Sequence, residues 1–220
     1  MKRTILYCVY LLCTLLCYSQ DRTFPKNSND EYEFSEVVEI TLSKKTLYSN
    51  ALSWAMSFYE EFKSVVQLES ETDGRLVIKD YDLILYSDGT KEHVYYTLTI
   101  DCKDNKFRYI INDITIKDYT PNEYSIVLGI DMASDVNHEQ HLEKCKELGE
   151  KKKIVEEQLQ KANATLSGRK LKKETKKLKE QLDDIDKKME KEEYLYNEEF
   201  DTFDRIIKGL KKKMIVNTDF

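Results

Sequence analysis

The chain has 220 residues, of which 40% are hydrophobic and 35% are charged, with only 6 glycines and 2 prolines. Its formal net charge is -6 at pH 7. This composition excludes collagen, proline-rich tails and multi-pass membrane proteins, and the length suits one domain with an appendage.

The N-terminus has the pattern of a secretory signal peptide. Lys2 and Arg3 precede the uncharged apolar run at residues 5–16, and polar sequence begins at Asp21. The run is too short to cross a hydrocarbon core about 30 Å thick, which needs about 20 helical residues. We expect residues 1–19 to be removed by cleavage after Ser19, and the mature protein to be periplasmic or extracellular.

A lipoprotein is the alternative, with Cys17 as the acylated residue. Leu16 stands where lipoprotein signal peptidases favour a small residue, so soluble export is preferred. Removal of the signal leaves Cys102 and Cys145, which could pair in an oxidising compartment. We expect two free thiols, and neither cysteine has a second one at the spacing typical of zinc sites.

Charge divides the mature chain into two parts. Residues 21–137 carry 12 basic and 22 acidic residues, a net charge of -10, whereas residues 138–220 carry 21 and 19, a net of +2. We therefore divide the chain into a polar lead at 20–33, an α+β domain at 34–133 and a charged helical region at 134–220.

Period-two and period-3.6 patterns predict a strand, a helix and then four strands. The helix, at 46–63, has an apolar stripe three or four residues apart formed by Leu47, Ala51, Ala55, Phe58 and Phe62, with Trp54 beside it. The strands are predicted at 36–42, 64–70, 75–86, 93–102 and 106–116. Tight turns at Asp73-Gly74, Asp88-Gly89 and Asp104-Asn105 make the last four an antiparallel meander.

These segments resemble a known family. The helix TLYSNALSWAMSFYEEF, the strand GRLVIKDYDLI and the pair YYTLTIDCKDNKFRYIINDI are similar to a bacterial domain-of-unknown-function family of secreted proteins with a fold like the TATA-box-binding protein (TBP-like). The resemblance covers about residues 34–117. It implies a TBP-like sheet and supplies no catalytic residues, and the long charged C-terminal helices depart from the family's common short forms.

Heptad repeats in the C-terminal region predict a coiled coil. The register breaks by two residues at Ser167-Gly168, which favours a helical hairpin over one long helix. The last third of the second helix is too apolar to remain in water, so we expect it to pack on the sheet. The first seam contains Cys145, Leu148, Lys152, Val155, Leu159, Ala162 and Leu166. The second contains Leu171, Thr175, Leu178, Leu182, Ile185, Met189, Glu192, Tyr196, Glu199, Phe203, Ile206 and Leu210.

His138 and His141 place two imidazoles three residues apart, with Asp131 and Asp135 nearby in the sequence, and such a group could in principle bind a metal. They lack the four-residue spacing of the zinc hydrolase motif. We expect solvated residues in the first turn of a helix capped by Ser134 or Asp135, and no metal.

Other chemistry has weaker support. His93 stands alone, without a nucleophile at a recognisable turn, and no glycine-rich phosphate loop is present. The acid pairs Asp80-Asp82 and Asp101-Asp104 could serve a glycosidase, but in so acidic a protein we expect most carboxylates to be solvated. The lysine runs at 151–153 and 211–213 alternate with acidic blocks, and the sheet domain is acidic, so we expect no nucleic-acid partner.

Tyr95 and Tyr96 point to opposite faces of the sheet, so one of them is expected outside the core. There the ring either contributes to a binding surface or fills a half-buried strand position. We expect a non-enzymatic, exported binding or assembly module of the cell envelope, without a cofactor and with a protein partner. Membrane attachment would require lipidation at Cys17, and the coiled coil could support oligomerisation. The alternatives are an envelope hydrolase with paired carboxylates and a purely structural coiled-coil oligomer.

Overall fold

A computed structural model describes residues 22–119 and 134–216. The predicted signal peptide, including Cys17, and Asp131 lie outside these residues. No described helix is both long and apolar enough to span a bilayer. In chain order the elements are β1 (Phe34–Glu39), α1 (Lys44–Phe58), α2 (Phe62–Val65), β2 (Val66–Ser70), β3 (Arg75–Leu85), β4 (Lys91–Lys103), β5 (Lys106–Asp118), β6 (Ser134–Val136), α3 (His138–Thr165) and α4 (Gly168–Met214).

The strands form one antiparallel sheet in the order β1-β5-β4-β3-β2, and β6 pairs with the far end of β5. The predicted strand, helix and four-strand meander is therefore confirmed. Gly74 and Asn105 have φ values of 69° and 64°, as the predicted turns require. A Cβ on Gly74 would lie 2.5 Å from the carbonyl oxygen of Cys102, so only glycine fits there.

Helix α1 packs on one face of the sheet. The Ser43 side chain caps its start by accepting a hydrogen bond from the backbone N–H of Thr46, 3.1 Å away. The predicted stripe is confirmed in the first part of the helix, where Leu47, Ala51, Trp54 and Ala55 are buried.

The predicted end of that helix is wrong. Helix α1 ends at Phe58, which is 40% exposed, and Phe62 belongs to the separate short helix α2. Tyr59 leaves helical geometry because its extended backbone turns the ring into the core, where its hydroxyl lies 3.4 Å from that of Tyr96. Burial of Tyr59 thus overrides the helical periodicity.

Helices α3 and α4 form the predicted hairpin, and they reverse at Ser167-Gly168. Seam residues such as Ala162, Leu178 and Ile185 are buried between them. An ion pair between Lys152 Nζ and Asp186, at 2.7 Å, marks the antiparallel register. The heptad pattern therefore predicted both the pairing and the reversal correctly.

The last third of α4 packs on the sheet beside α1, as predicted. Gly209 allows this close approach, because a Cβ there would lie 3.1 Å from Nε1 of Trp54. This part of α4 completes the core, which on that helix contains Leu195, Phe203, Ile206, Leu210 and Met214.

The polar lead packs against the rest of the fold. It supplies Phe24 to the core, and Lys26 forms an isolated β-bridge with Tyr32. Cys102 is buried and Cys145 is half-buried, and both are free thiols.

Candidate functional site

The two histidines of the first turn of α3 are buried, so the expectation that they are solvated is wrong. Each has 1% of its side chain exposed. The helix is capped by Asn137, whose side chain accepts from the backbone N–H of Glu139 at 3.0 Å, and not by Ser134 or Asp135. The turn is buried because β4, α4 and the N-terminal lead all contact it.

His141 lies among three carboxylates from two other elements. Its Nδ1 atom is 2.6 Å from Oε2 of Glu192 on α4. Its Nε2 atom is 3.1 Å from Oε1 of Glu199 on α4 and 3.3 Å from Oε1 of Glu92 on β4. Glu92 and Glu199 have at most 1% of their side chains exposed. The cluster thus joins the sheet to both helices of the hairpin.

His138 fixes the second oxygen of Glu199. Its Nδ1 atom is hydrogen-bonded to Oε2 of that carboxylate. The imidazole is stacked between the rings of Phe24 and Tyr196, with ring centroids 3.7 and 4.2 Å away. Two aromatic walls therefore restrict the histidine to one orientation, and the histidine in turn orients Glu199.

The electrostatics of this cluster favour positive charge on its imidazole. Burial alone would lower the pKa of His141, but the nearby carboxylates of Glu192, Glu199 and Glu92 outweigh burial and raise the pKa to about 11. Burial raises the pKa of Glu92. Burial also opposes ionisation of Glu199, but the adjacent imidazoles of His138 and His141 outweigh burial and lower its pKa.

Several polar atoms at the centre of the cluster have no hydrogen-bond partner among the described residues. They are both carboxylate oxygens of Glu92, Nε2 of His141 and Oε1 of Glu199, and outside the centre Nε2 of His138. One atom each from Glu92, His141 and Glu199 lies within 4.8 Å of the other two, so these residues could hold a metal ion. Because the group is closed to solvent, it resembles structural metal sites more than catalytic ones.

The sequence contained two signals for this cluster. Glu192 and Glu199 occupy positions of the predicted apolar seam, and Glu92 has the same strand parity as the buried Val94 and Tyr96. Charged residues at core-facing positions are rarely left alone. Together with the predicted pairing of the two hairpin helices, these buried acids would have indicated buried partners for the histidines.

A second candidate site lies on the opposite face of the sheet. Tyr81, Leu83 and Leu85 alternate along β3 and are 49%, 50% and 58% exposed. The neighbouring strand places Tyr95 opposite Tyr81, and His93 opposite Leu83. This row of apolar and aromatic side chains, Tyr81, Leu83, Leu85, His93 and Tyr95, is called the outer-face patch.

Aromatic contacts give the outer-face patch a defined shape. The ring of His93 is stacked on Tyr81 at 4.8 Å and contacts Tyr119 at 4.7 Å. Tyr96 points to the other face and is buried, so the prediction that the adjacent tyrosines separate is confirmed. His93, which was expected to stand alone, is a member of this aromatic group.

Three of the four paired acids of the sheet domain, Asp82, Asp101 and Asp104, bind groups of the protein itself. Asp101 accepts from Arg75 and Arg108, each at 2.6 Å. Asp104 accepts from the backbone N–H of Lys44 at 2.7 Å. Asp82 accepts from Thr202 and Arg205 on α4, and burial raises the pKa of Asp80. The lysine runs also form ion pairs, including Lys211 with Glu36.

Two solved structures are similar to part of this chain. A TBP-like protein from Parabacteroides distasonis is 21% identical, with a TM-score of 0.41 over 52% of this chain and 70% of that one. A DUF4468 family protein from Bacteroides ovatus is 17% identical, with a TM-score of 0.38 over 54% and 67%. No curated protein matches the chain. Residues 34–117, less than half of the chain, match the family described as a domain of unknown function (DUF4468) with TBP-like fold.

Proposed function

We propose that this protein is an exported, non-enzymatic binding module of the bacterial cell envelope, and that it binds a protein partner through the outer-face patch. The observation that carries the proposal is the row Tyr81, Leu83 and Leu85, three side chains about half exposed on one strand. Helices α1 and α4 pack on the other face of the sheet, so among the described residues they do not cover this row.

The composition of the patch favours a protein partner. Tyrosine is enriched at the centre of protein interfaces because it buries a large apolar surface and keeps a polar tip. A charged side chain borders the apolar row, because Nζ of Lys117 lies 5.7 Å from the centroid of the Tyr95 ring. An apolar centre with a charged rim is the usual arrangement of an interface.

An open groove of about 1020 Å³ adjoins the patch. It runs between the α1–α2 connection and β3, and its lining includes Tyr59, Tyr81, Leu83 and Tyr95. Such a groove offers space for side chains of a partner seated on the patch.

The two alternatives have less support. A hydrolase would need acids that meet a substrate, but Asp82, Asp101 and Asp104 bind groups of the protein itself and the Glu92–Glu199 pair is closed to solvent. A structural oligomer would need an open coiled-coil seam, whereas the α3 and α4 seams pack against each other within one chain.

Site-specific photo-crosslinking in the native cell tests the proposal. Benzoylphenylalanine is placed at Leu85 in the patch or, as a control, at Met56, which is 61% exposed on α1. We expect one discrete protein adduct from position 85 and none from position 56. The adduct should disappear when Tyr81→Ser and Leu83→Ser are added, without a change in the melting temperature.

The purified partner should then bind the Tyr81→Ser variant at least about 10-fold more weakly than the wild type, as expected for a central aromatic contact. Equal adducts from both positions, or an adduct that survives both serine substitutions, would contradict binding through the patch.

A further inference from the structure

Glu92 presents an electrostatic problem that hydrogen bonding within the described chain does not solve. Its side chain is closed to solvent at an inward-facing position of β4, and neither carboxylate oxygen has a hydrogen-bond donor among the described residues. His141, 3.3 Å away, offers Glu92 a contact outside hydrogen-bonding geometry, and a buried carboxylate without a hydrogen-bond donor is destabilising. A positive group at this position would remove the penalty.

One imidazole nitrogen cannot serve both nearby carboxylates as a donor. Nε2 of His141 lies within 3.3 Å of oxygens from Glu92 and Glu199, but it can donate only one hydrogen. Neither oxygen lies in hydrogen-bonding geometry with it. Three polar atoms from three elements therefore converge without a hydrogen bond among them.

The surrounding contacts are those that orient metal ligands. Nδ1 of His141 donates to Glu192 at 2.6 Å when Nε2 carries the lone pair, and this is the tautomer of a metal-bound imidazole. His138 is hydrogen-bonded to the other oxygen of Glu199. Carboxylates that bind metals are commonly held in place by such a hydrogen bond.

The spacing also fits a small cation. Two ligands that lie about 2.1 Å from a tetrahedral zinc are separated by about 3.4 Å. The distances from Nε2 of His141 to the Glu199 and Glu92 oxygens are 3.1 and 3.3 Å. An imidazole with two carboxylates suits zinc and its transition-metal neighbours better than Ca²⁺ or Mg²⁺, which prefer six or more oxygen ligands or several waters.

We propose that Oε1 of Glu92, Nε2 of His141 and Oε1 of Glu199 bind a divalent transition-metal cation, with Zn²⁺ as the best fit. The cation is structural, because its ligands come from β4, α3 and α4 and are closed to solvent. It fastens the helical hairpin to the sheet and compensates the buried carboxylates. This site is separate from the outer-face patch.

The test is refolding of the purified protein from urea with and without Zn²⁺, because a closed site must be loaded as the chain folds. After desalting we expect one zinc per chain by elemental analysis. We also expect a melting temperature that rises with zinc concentration. Refolding with Co²⁺ should give visible absorption that differs from that of Co²⁺ in buffer.

The Glu92→Gln substitution distinguishes a metal site from a buried ionic cluster that binds no metal. The variant loses a ligand charge but keeps the shape, so we expect at least about 10-fold weaker zinc binding. Without metal it should melt at or above the wild-type temperature, because a buried charge is removed. Glu193→Gln, an exposed change on α4, should bind zinc as the wild type does.

Two results would overturn the proposal. One is a wild-type protein that retains no Zn²⁺, Mn²⁺, Co²⁺ or Ni²⁺ after refolding and whose melting temperature is the same with each of them. The other is a Glu92→Gln variant that binds zinc as tightly as the wild type. If Glu92→Gln does not fold, the cobalt spectrum and zinc content of the wild type still decide whether the site binds a metal.

Discussion

Nδ1 of His141 lies 2.6 Å from Oε2 of Glu192, and this contact joins the two helices of the hairpin where α4 reaches the sheet. Glu192 also lies 3.5 Å from Nζ of Lys144, one turn further along α3. The carboxylate is therefore held from two sides, and it orients the imidazole without touching the proposed cation.

Glu192→Gln should accordingly weaken zinc binding by about 10–100-fold, because removing the carboxylate partner of a metal-bound histidine has effects of that size. The measurement is competition for zinc with a chelating dye during refolding. The neighbouring Glu193→Gln, on the exposed side of α4, is the control. Equal zinc affinity in the two variants would show that Glu192 does not position the histidine.

The end of α4 should be indispensable, whereas the distal hairpin should not be. Deletion of residues 195–220 removes fully buried side chains that include Leu195, Phe203 and Leu210, so we expect unfolding or aggregation. Replacement of residues 149–186 by a short flexible loop leaves the core and the His–Glu cluster intact. Thermal melts of both variants test this, and a cooperative transition in the protein lacking 195–220 would refute it.

Two helical glycines should respond in opposite ways to the same change. Gly209→Leu places side-chain atoms against Trp54, only 3.1 Å from a Cβ, and should lower the free energy of unfolding by about 1–3 kcal/mol. Gly149→Leu meets no atom within 4 Å and should raise it by about 1 kcal/mol through helix propensity. Urea titrations measure both. Equal effects at the two positions would mean that α4 does not approach α1 this closely.

Asp101 should make stability depend on pH. Burial opposes its ionisation, but hydrogen bonds from Arg75 and Arg108 outweigh burial and lower its pKa. The stabilisation is therefore present above the unfolded-state pKa of about 3.9 and is lost as pH falls through the lower folded-state pKa. Asp101→Asn should cost about 1 kcal/mol at pH 7 and progressively less below about pH 4.

Urea unfolding of the wild type and the Asp101→Asn variant at each pH measures this difference. Glu157→Gln, on the exposed face of α3, provides the comparison. A cost for Asp101→Asn that stays constant down to pH 2 would argue against the ion pairs as its cause.

Export should be visible as a mass change. We expect the protein from the cell envelope to lack residues 1–19, which intact-mass analysis measures directly. A species that retains these residues would contradict cleavage after Ser19. A diacylglyceryl mass on Cys17 would instead favour a lipoprotein.

Local patterns in the sequence were sufficient for most of the architecture. Period-two alternation and the three tight turns predicted the meander, and the heptad seams with their break at Ser167-Gly168 predicted the hairpin. These features depend on residues within a few positions of each other, so they can be read along the chain. The length of α1 was mispredicted because the burial of Tyr59 depends on its distant neighbour Tyr96.

The histidine cluster required the tertiary structure. His138 and His141 look like solvated first-turn residues when only their own helix is considered. They are buried because Phe24 comes from the N-terminal lead, Glu92 from the sheet, and Glu192 and Glu199 from the second helix. The sequence by itself determined the elements and their faces, because periodicity is local. Only packing between distant segments decided which charged groups meet, because burial and electrostatic pairing depend on distances in space.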